Sequence, residues 1–264
     1  ALNTAEIPDN GIGDDKNGVV DDYAGAVFIS KTDNTNDPLP DHGTHVAGII
    51  AANPHSGSLS GVAPAAKILP AQFLSRSGSG LLSDALRAMK YLEGRNVQVL
   101  NASWGGSPCV KSMRDAMQRL SDKGVVLVVA SGNAGQDLDR SPEFPAAFNL
   151  ANQLTVAAST DLDYMTSWSN SSFNLVHLAA PGDGILSTTA NNRTGTMSGT
   201  SMATPFVAGA AALLKSAFPK ATPAQIKNAI MNSVDVRSGH EFRVQSRGRL
   251  NVERALASLR SFAQ

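Results

Sequence analysis

Residues 125–133 read Val125-Val126-Leu127-Val128-Val129-Ala130-Ser131-Gly132-Asn133. The first six are all apolar, with no polar residue at alternate positions. A strand with one solvated face alternates, whereas a strand covered on both faces reads as a continuous apolar run. The stretch therefore predicts an interior strand of a parallel sheet, with helices on either side. It runs into a Gly-Asn turn, and in open parallel sheets ligand sites collect at the C-terminal ends of strands.

The flanking sequence alternates in the same sense. Upstream, strands are predicted over Lys67–Leu74 and Val97–Ala102. Leu82, Ala85, Leu86, Met89 and Leu92 recur at helical spacing, as do Val110, Met113, Met117 and Leu120. An Ala-rich helix is predicted over His45–Ala52. Downstream, Gln153–Ala158 and Leu175–Ala179 read as strands and Ser201–Phe218 as a helix. Thr222-Pro223-Ala224-Gln225 is a capping box with Pro at the first helical position, and a last helix lies near Val252–Phe262. This β-α-β-α order implies a parallel sheet with right-handed crossovers and helices on both faces. Residues 1–40 are rich in Asp, Asn and Gly and read as loops, with one strand near Val19–Ile29. No repeat or long linker divides the 264 residues, so one domain over 1–264 is expected.

Composition narrows the function. Lys plus Arg and Asp plus Glu are 22 each, so the formal charge is zero. A nucleic-acid binder or polybasic membrane binder needs excess positive charge, so neither is expected. At 42% hydrophobic residues a core of ordinary size is available, and no apolar run reaches the ~18 residues of a membrane span. The single Cys109 excludes an internal disulfide, and it is read as inert. Ala1 reads as a processed or cut end, with no basic start followed by an apolar core.

Three segments carry chemistry. In Asp41-His42-Gly43-Thr44-His45-Val46-Ala47-Gly48, two histidines stand three apart at the mouth of an apolar helix. Zinc is a legal reading but the weaker one, since no Glu lies between them and no further His or Cys is nearby. His45 reads as a satisfied core residue. In Thr196-Met197-Ser198-Gly199-Thr200-Ser201-Met202-Ala203-Thr204-Pro205, the proline sets the local geometry. It cannot bond to the carbonyl four residues back, so the helix cannot run regularly far before Ser201. Ser201 is thus either a simple N-cap or a hydroxyl in the positive field of a helix N-terminus. The nucleophile elbow of α/β-hydrolases is excluded, because Ala203 stands where it needs Gly. In Ser131-Gly132-Asn133, Asn133 is either a turn residue or an N–H donor aimed into a cleft.

Together the segments resemble the subtilisin-like serine proteases. His42–Gly48 is similar to the family's catalytic-histidine block and Gly199–Gly209 to its catalytic-serine block. Gly61-Val62-Ala63-Pro64, Asn101-Ala102-Ser103-Trp104-Gly105-Gly106 and Ser131-Gly132-Asn133 match further blocks in order. The resemblance implies a three-layer α/β fold around a mostly parallel sheet. It also implies a secreted serine endopeptidase, made as a zymogen with a propeptide. Ser201 would attack a peptide carbonyl, His42 would act as general base and acid, and Asn133 with the Ser201 N–H would form the oxyanion hole. Backbone around Ser103, Trp104 and Gly105 and around Gly78, Ser79 and Gly80 would hold the peptide as an added strand, with Gly132 beside it. Glu143, two residues before Pro145, would face the P1 side chain and favour Lys or Arg; the alternative is that it turns to solvent or pairs with Arg140.

The family's third catalytic residue, an Asp in an Asp-Thr-Gly or Asp-Ser-Gly context, has no counterpart before His42. Asp21, Asp22 and Asp41 read as loop or metal-site residues. Two function classes follow: a protease whose Asp comes from an upstream fragment, or a binding module on a protease fold. The loop Gly13-Asp14-Asp15-Lys16-Asn17-Gly18-Val19-Val20-Asp21-Asp22 resembles calcium loops of related proteases. Asp14, Asp15, Asn17 and Asp21 are the expected calcium ligands, against the plainer reading of a solvated acidic loop.

Overall fold

The computed structural model describes residues 1–29, 41–54, 59–75, 78–106 and 108–262. In chain order they form β1 (Ala26–Val27), α1 (His42–Ala51), β2 (Ala71–Gln72), α2 (Leu82–Glu93), β3 (Val99–Ala102) and α3 (Lys111–Asp122). Then come β4 (Val126–Ala130), β5 (Gln153–Ser159), β6 (Leu178–Pro181), β7 (Ile185–Thr189) and β8 (Arg193–Met197). The chain closes with α4 (Thr200–Ala217), α5 (Pro223–Asn232), β9 (Asp235–Val236), β10 (Gly248–Arg249) and α6 (Val252–Phe262).

The central sheet has the order β3-β4-β5-β6-β10-β9 and is parallel except for the β10–β9 pair. Every residue of β4 is buried. Leu127 and Val129 face one core with Met113, Met117 and Leu120 of α3 and Met89 and Leu92 of α2. Val126 and Val128 face the other, with Val207, Ala211 and Leu214 of α4 and Ile226 and Ile230 of α5. Alternate residues of a strand point to opposite faces, so one apolar run feeds two cores and the fold has three layers. The capping box at α5 forms: Thr222 Oγ1 accepts from Gln225 N at 3.2 Å and Gln225 Oε1 from Thr222 N at 2.8 Å.

Three expectations need correction, and one element had no expectation. The strand near Val19–Ile29 contracts to Ala26–Val27, because the Asp-rich stretch before it folds on its own carboxylates. The strand over Lys67–Leu74 contracts to Ala71–Gln72, which pairs in parallel with β1 in a separate two-stranded sheet. The strand over Leu175–Ala179 begins at Leu178, since Val176 still closes a turn onto Ser172. The antiparallel hairpin β7–β8 was not anticipated. Its Ser, Thr, Gly and Arg content lacks the apolar signal that betrays a buried strand.

Ala26 and Phe28, in and just after β1, share the α2–α3 core with Leu127 and Val129 of β4. The two sheets therefore flank one another under α2. The β2 edge away from β1 and the β3 edge away from β4 have no strand partner among the described residues.

Candidate active site

Three catalytic expectations fall on three element boundaries. His42 is the first residue of α1, Asn133 follows the C-terminal end of β4, and Ser201 is the second residue of α4. Pro205 leaves the Ser201 carbonyl without its helical donor. Ser103 Oγ supplies that hydrogen bond at 2.8 Å, and Ser201 Oγ donates in return to the Ser103 carbonyl at 3.1 Å. The helix thus starts where the proline argument placed it, and the serine is tied to the segment after β3.

Asn133 is fixed in orientation. Its Oδ1 accepts from Thr200 N and from Thr200 Oγ1, both at 2.9 Å. An oxygen that receives a backbone N–H cannot be the amide nitrogen, so Nδ2 is the free donor. The Thr200 hydroxyl also accepts from Gly132 N at 3.2 Å. Ser201 N is a first-turn amide with no intrahelical acceptor. The turn itself is held from behind by buried Asn170. Its Oδ1 accepts from Ala134 N at 3.0 Å and Gln136 N at 2.9 Å, while Nδ2 donates to the Ser131 carbonyl at 3.0 Å. Sequence reasoning missed both residues. Thr200 carried a signal as a hydroxyl at a helix start; Asn170 carried none beyond a glycosylation-type tripeptide.

The hairpin β7–β8 holds α1. Ser187 Oγ donates to the His45 carbonyl at 2.7 Å and Thr188 Oγ1 to the Thr44 carbonyl at 3.0 Å. Fully buried His45 places Nε2 3.0 Å from the Ile185 carbonyl and 3.1 Å from that of Gly195, so Nε2 carries the hydrogen. A Cβ at Gly48 would overlap the hydroxyls of Ser187 and Thr188, so glycine is what allows this close approach. Asp41 Oδ1 accepts from Ala190 N at 2.6 Å, which turns that carboxylate to the hairpin rather than to His42. From β8 the chain passes straight into α4, and Val46 and Ile49 of α1 pack on Met202 of α4. His42 and Ser201 thus stand at the starts of two packed helices sharing one support. Burial, with the neighbouring His45 imidazole adding to it, pushes the His42 imidazole below its usual pKa. No carboxylate among the described residues offsets that shift.

The expected substrate segments meet through their rings. Phe73 and Trp104 stack edge to face with centroids 5.1 Å apart, joining the stretch ahead of Gly78, Ser79 and Gly80 to Ser103, Trp104 and Gly105. The Ser79 carbonyl accepts from Ser75 N at 2.7 Å, closing that loop. Half-buried Glu143 lies against Gly132: a Cβ there would come within 2.5 Å of Glu143 Oε2. Arg140 pairs with Asp137 at 3.7 Å.

The acidic loop sorts its carboxylates into two groups. Asp14 accepts from Ile7 N and Asn10 Nδ2, and Asp21 from Asn10 N and Gly11 N, all at 3.0 Å. These two brace the loop. Asp15 instead lies with Glu6 and Asp22, one oxygen of each within 4.8 Å of the others. Asn3 and Asn17 donate to both Asp15 and Asp22, and Arg95 reaches Asp22 at 2.6 Å. Glu6 Oε1 receives Asp15 N at 3.0 Å, whereas buried Glu6 Oε2 has no partner.

Residues 10–255 match the model of the subtilase family. The chain is 36% identical over 240 residues to thermitase of Thermoactinomyces vulgaris, covering 89% of this chain and 83% of that protein. It is 36% identical over 209 residues to subtilisin Savinase of Lederbergia lenta, covering 79% and 75% respectively. It is also 38% identical over 178 residues to the major intracellular serine protease of Bacillus subtilis (strain 168), covering 66% of this chain. The chain spans about half the length of several relatives: 55% of that Bacillus subtilis protease and 50% of the thermophilic serine proteinase of Bacillus sp. (strain AK1).

Proposed function

This chain belongs to the subtilase family of serine proteases, and from that premise we propose that it cleaves peptide bonds as an endopeptidase through an acyl-enzyme on Ser201. His42, whose imidazole burial holds below its usual pKa, takes the Ser201 proton and returns it to the leaving amine. Asn133 Nδ2 and Ser201 N stabilise the oxyanion. One observation carries this reading: the Thr200 amide and hydroxyl lock Asn133 Oδ1, which leaves its N–H₂ as a pre-aimed donor beside the start of α4. The peptide lies between residues 78–80 and 103–105, and Glu143 at the adjoining Gly132 favours a cationic P1 side chain.

The carboxylate that orients His42 arrives, in this proposal, on an extended segment outside these residues. Unpaired parallel edges on β2 and β3, flanking one core, give such a strand a place to pair on both sides. A second reading, a binding module, draws on the absence of a carboxylate acting on His42 among the described residues. Fluorophosphonate labelling followed by denaturing mass spectrometry separates the two. Capture at Ser201 with co-purifying upstream peptide supports the protease; a chain that carries the peptide and stays unlabelled supports the module.

Calcium belongs to the same proposal, with Glu6, Asp15 and Asp22 as ligands in place of the expected set of Asp14, Asp15, Asn17 and Asp21, because Asp14 and Asp21 accept from N–H groups of the loop and Asn17 turns its N–H₂ to the carboxylates. Three carboxylates against one Arg95 leave two charges unmatched, and Glu6 Oε2 is an orphaned buried oxygen. Hard cations of that charge take carboxylate oxygens. The ion would tie Glu6, Asp15 and Asp22 together within the 6–22 loop. Relatives of similar identity include a protease named as intracellular, so secretion and zymogen processing are proposals for fractionation and N-terminal mapping. No helix among the described residues is long and apolar enough to cross a membrane.

A further inference from the structure

A cavity of about 690 Å³ lies at the end of the sheet opposite Asn133 and Ser201. His177, one residue before β6, and Asn149, ahead of β5, sit at its back; α5 and residues 245–247 wall it. The wall is built into the fold: Gln245 N bonds the Val176 carbonyl at 2.8 Å and Ser246 N the His177 carbonyl at 2.9 Å.

The ionisable groups there are all nitrogen bases or cations. Lys227 is half-buried, and burial alone pushes its ammonium below the usual pKa, with no carboxylate lifting it back. His177 Nδ1 accepts from Thr155 N at 2.9 Å, so its hydrogen sits on Nε2. Buried Ser246 Oγ has no partner. Arg247 has an aromatic neighbour, its guanidinium 5.9 Å from the Phe173 ring centroid. Arg254 reaches Asp235 at only 3.4 Å, and Asp235 already receives Arg249 at 3.0 Å and Asn251 at 2.9 Å. Among the described lining residues none is an aspartate or glutamate. Residues 227–254 hold six Lys or Arg against three Asp or Glu, in a chain whose net charge is zero.

The half-buried Lys227 ammonium has lost hydration, and an anion entering the recess that it shares with His177 and two guanidiniums would restore its charge stabilisation. Met231 and Val234 supply an apolar side, so the recess suits charge borne on a carbon skeleton as well as a bare ion. We propose that this cavity, formed by Lys227, Arg247, Arg254, His177 and Ser246, is a binding site for a small multivalent oxyanion. It is remote from the peptide groove, and the proposal stands independently of proteolysis.

The test is the thermal midpoint of the full chain, freed of divalent cations beforehand, against citrate, inorganic phosphate and sodium chloride at matched ionic strength. Saturable stabilisation by citrate or phosphate beyond the chloride control is expected. Response to citrate alone marks a carboxylate ligand, and response to phosphate alone a phosphate or phosphate ester. Lys227→Met should weaken the effective anion about tenfold, the loss of one charge-assisted hydrogen bond. Exposed Lys220→Met, with the same change of charge, should leave it unaltered. Arg247→Gln, at an exposed position, repeats the test should Lys227→Met fold poorly. Equal stabilisation by all three salts, or equal weakening by the Lys220 and Lys227 variants, overturns the proposal.

Discussion

Replacing Thr200 by Val keeps the shape of a buried side chain and removes one hydroxyl. That hydroxyl donates to Asn133 Oδ1 at 2.9 Å and accepts from Gly132 N at 3.2 Å, while Thr200 N continues to hold Asn133. Loss of the bond to Asn133 and of the partner of the part-buried Gly132 N–H together cost about 1–2 kcal/mol of stability. The kinetic effect is smaller, because half of the orientation of Asn133 survives. Complete removal of the side-chain oxyanion donor in a subtilisin lowers kcat about 10²–10³-fold, a value measured in this family. Weakening its orientation by ~1 kcal/mol predicts about a fivefold fall in kcat with KM unchanged, since the donor acts on charge that develops only in the transition state. The assay pairs kcat and KM on a peptide substrate with the second-order rate of fluorophosphonate labelling at Ser201. Thr200→Ser should restore both. If Thr200→Val labels at the wild-type rate while Asn133→Ala slows labelling, the lock on the amide is irrelevant to catalysis and the reasoning fails.

Glu143→Gln should lower the Lys-to-Leu ratio of kcat/KM at P1 about tenfold. A full charge pair at ~4 Å is worth ~4 kcal/mol at an effective dielectric of 20, most of it offset by solvent at a half-buried site; an unchanged ratio shows that Glu143 does not read P1 charge. Calcium should raise the melting temperature and chelator lower it, both effects vanishing in Glu6→Gln; indifference of the wild type to either reagent removes the proposed ion. Burial pushes the His177 imidazole down to about 3, well below the ordinary histidine value of ~6.5. A depressed histidine contributes stability that is complete above the unfolded pKa and drains away as pH falls toward the folded one. Chemical denaturation at pH 7 and 4.5 should therefore differ by up to ~2–3 kcal/mol in the wild type. The difference should shrink in His177→Gln, and equal pH dependence in both would show that His177 is not the group responsible.

The layered core was legible because apolar patterning reports burial. Val126–Ala130 announced a doubly covered strand, and Met113, Met117 and Leu120 announced the helix lying on it. Pro205 located the start of α4 through the bond it cannot make, and the structure fills that vacancy with Ser103. Polar scaffolding was not legible. Asn170 is separated from the turn it supports by more than thirty residues, and a polar residue with a distant partner looks like any surface asparagine. The hairpin β7–β8 pairs its two strands across a short turn but buries too little to leave an alternating pattern. In the acidic loop, composition pointed to carboxylate clustering. Which carboxylates met, Asp15 with Glu6 and Asp22 rather than with Asp14 or Asp21, depended on backbone turns that composition does not encode.

The strapping of α1 by β7–β8 has a mechanical consequence. The hairpin grips the first turns of α1 through side chains and is covalently continuous with α4 through residues 198–199. A fluctuation of the hairpin is therefore a common-mode displacement, carrying the starts of both helices in the same direction. Only differential motion, which must shear the packing of Val46 and Ile49 on Met202, changes the spacing between the His42 ring and the Ser201 hydroxyl. Packed interiors resist such shear far more than surface hairpins resist swaying. The arrangement couples the two helix starts: a displacement shared through the hairpin leaves their spacing as it is, and one that slides α1 on α4 alters it.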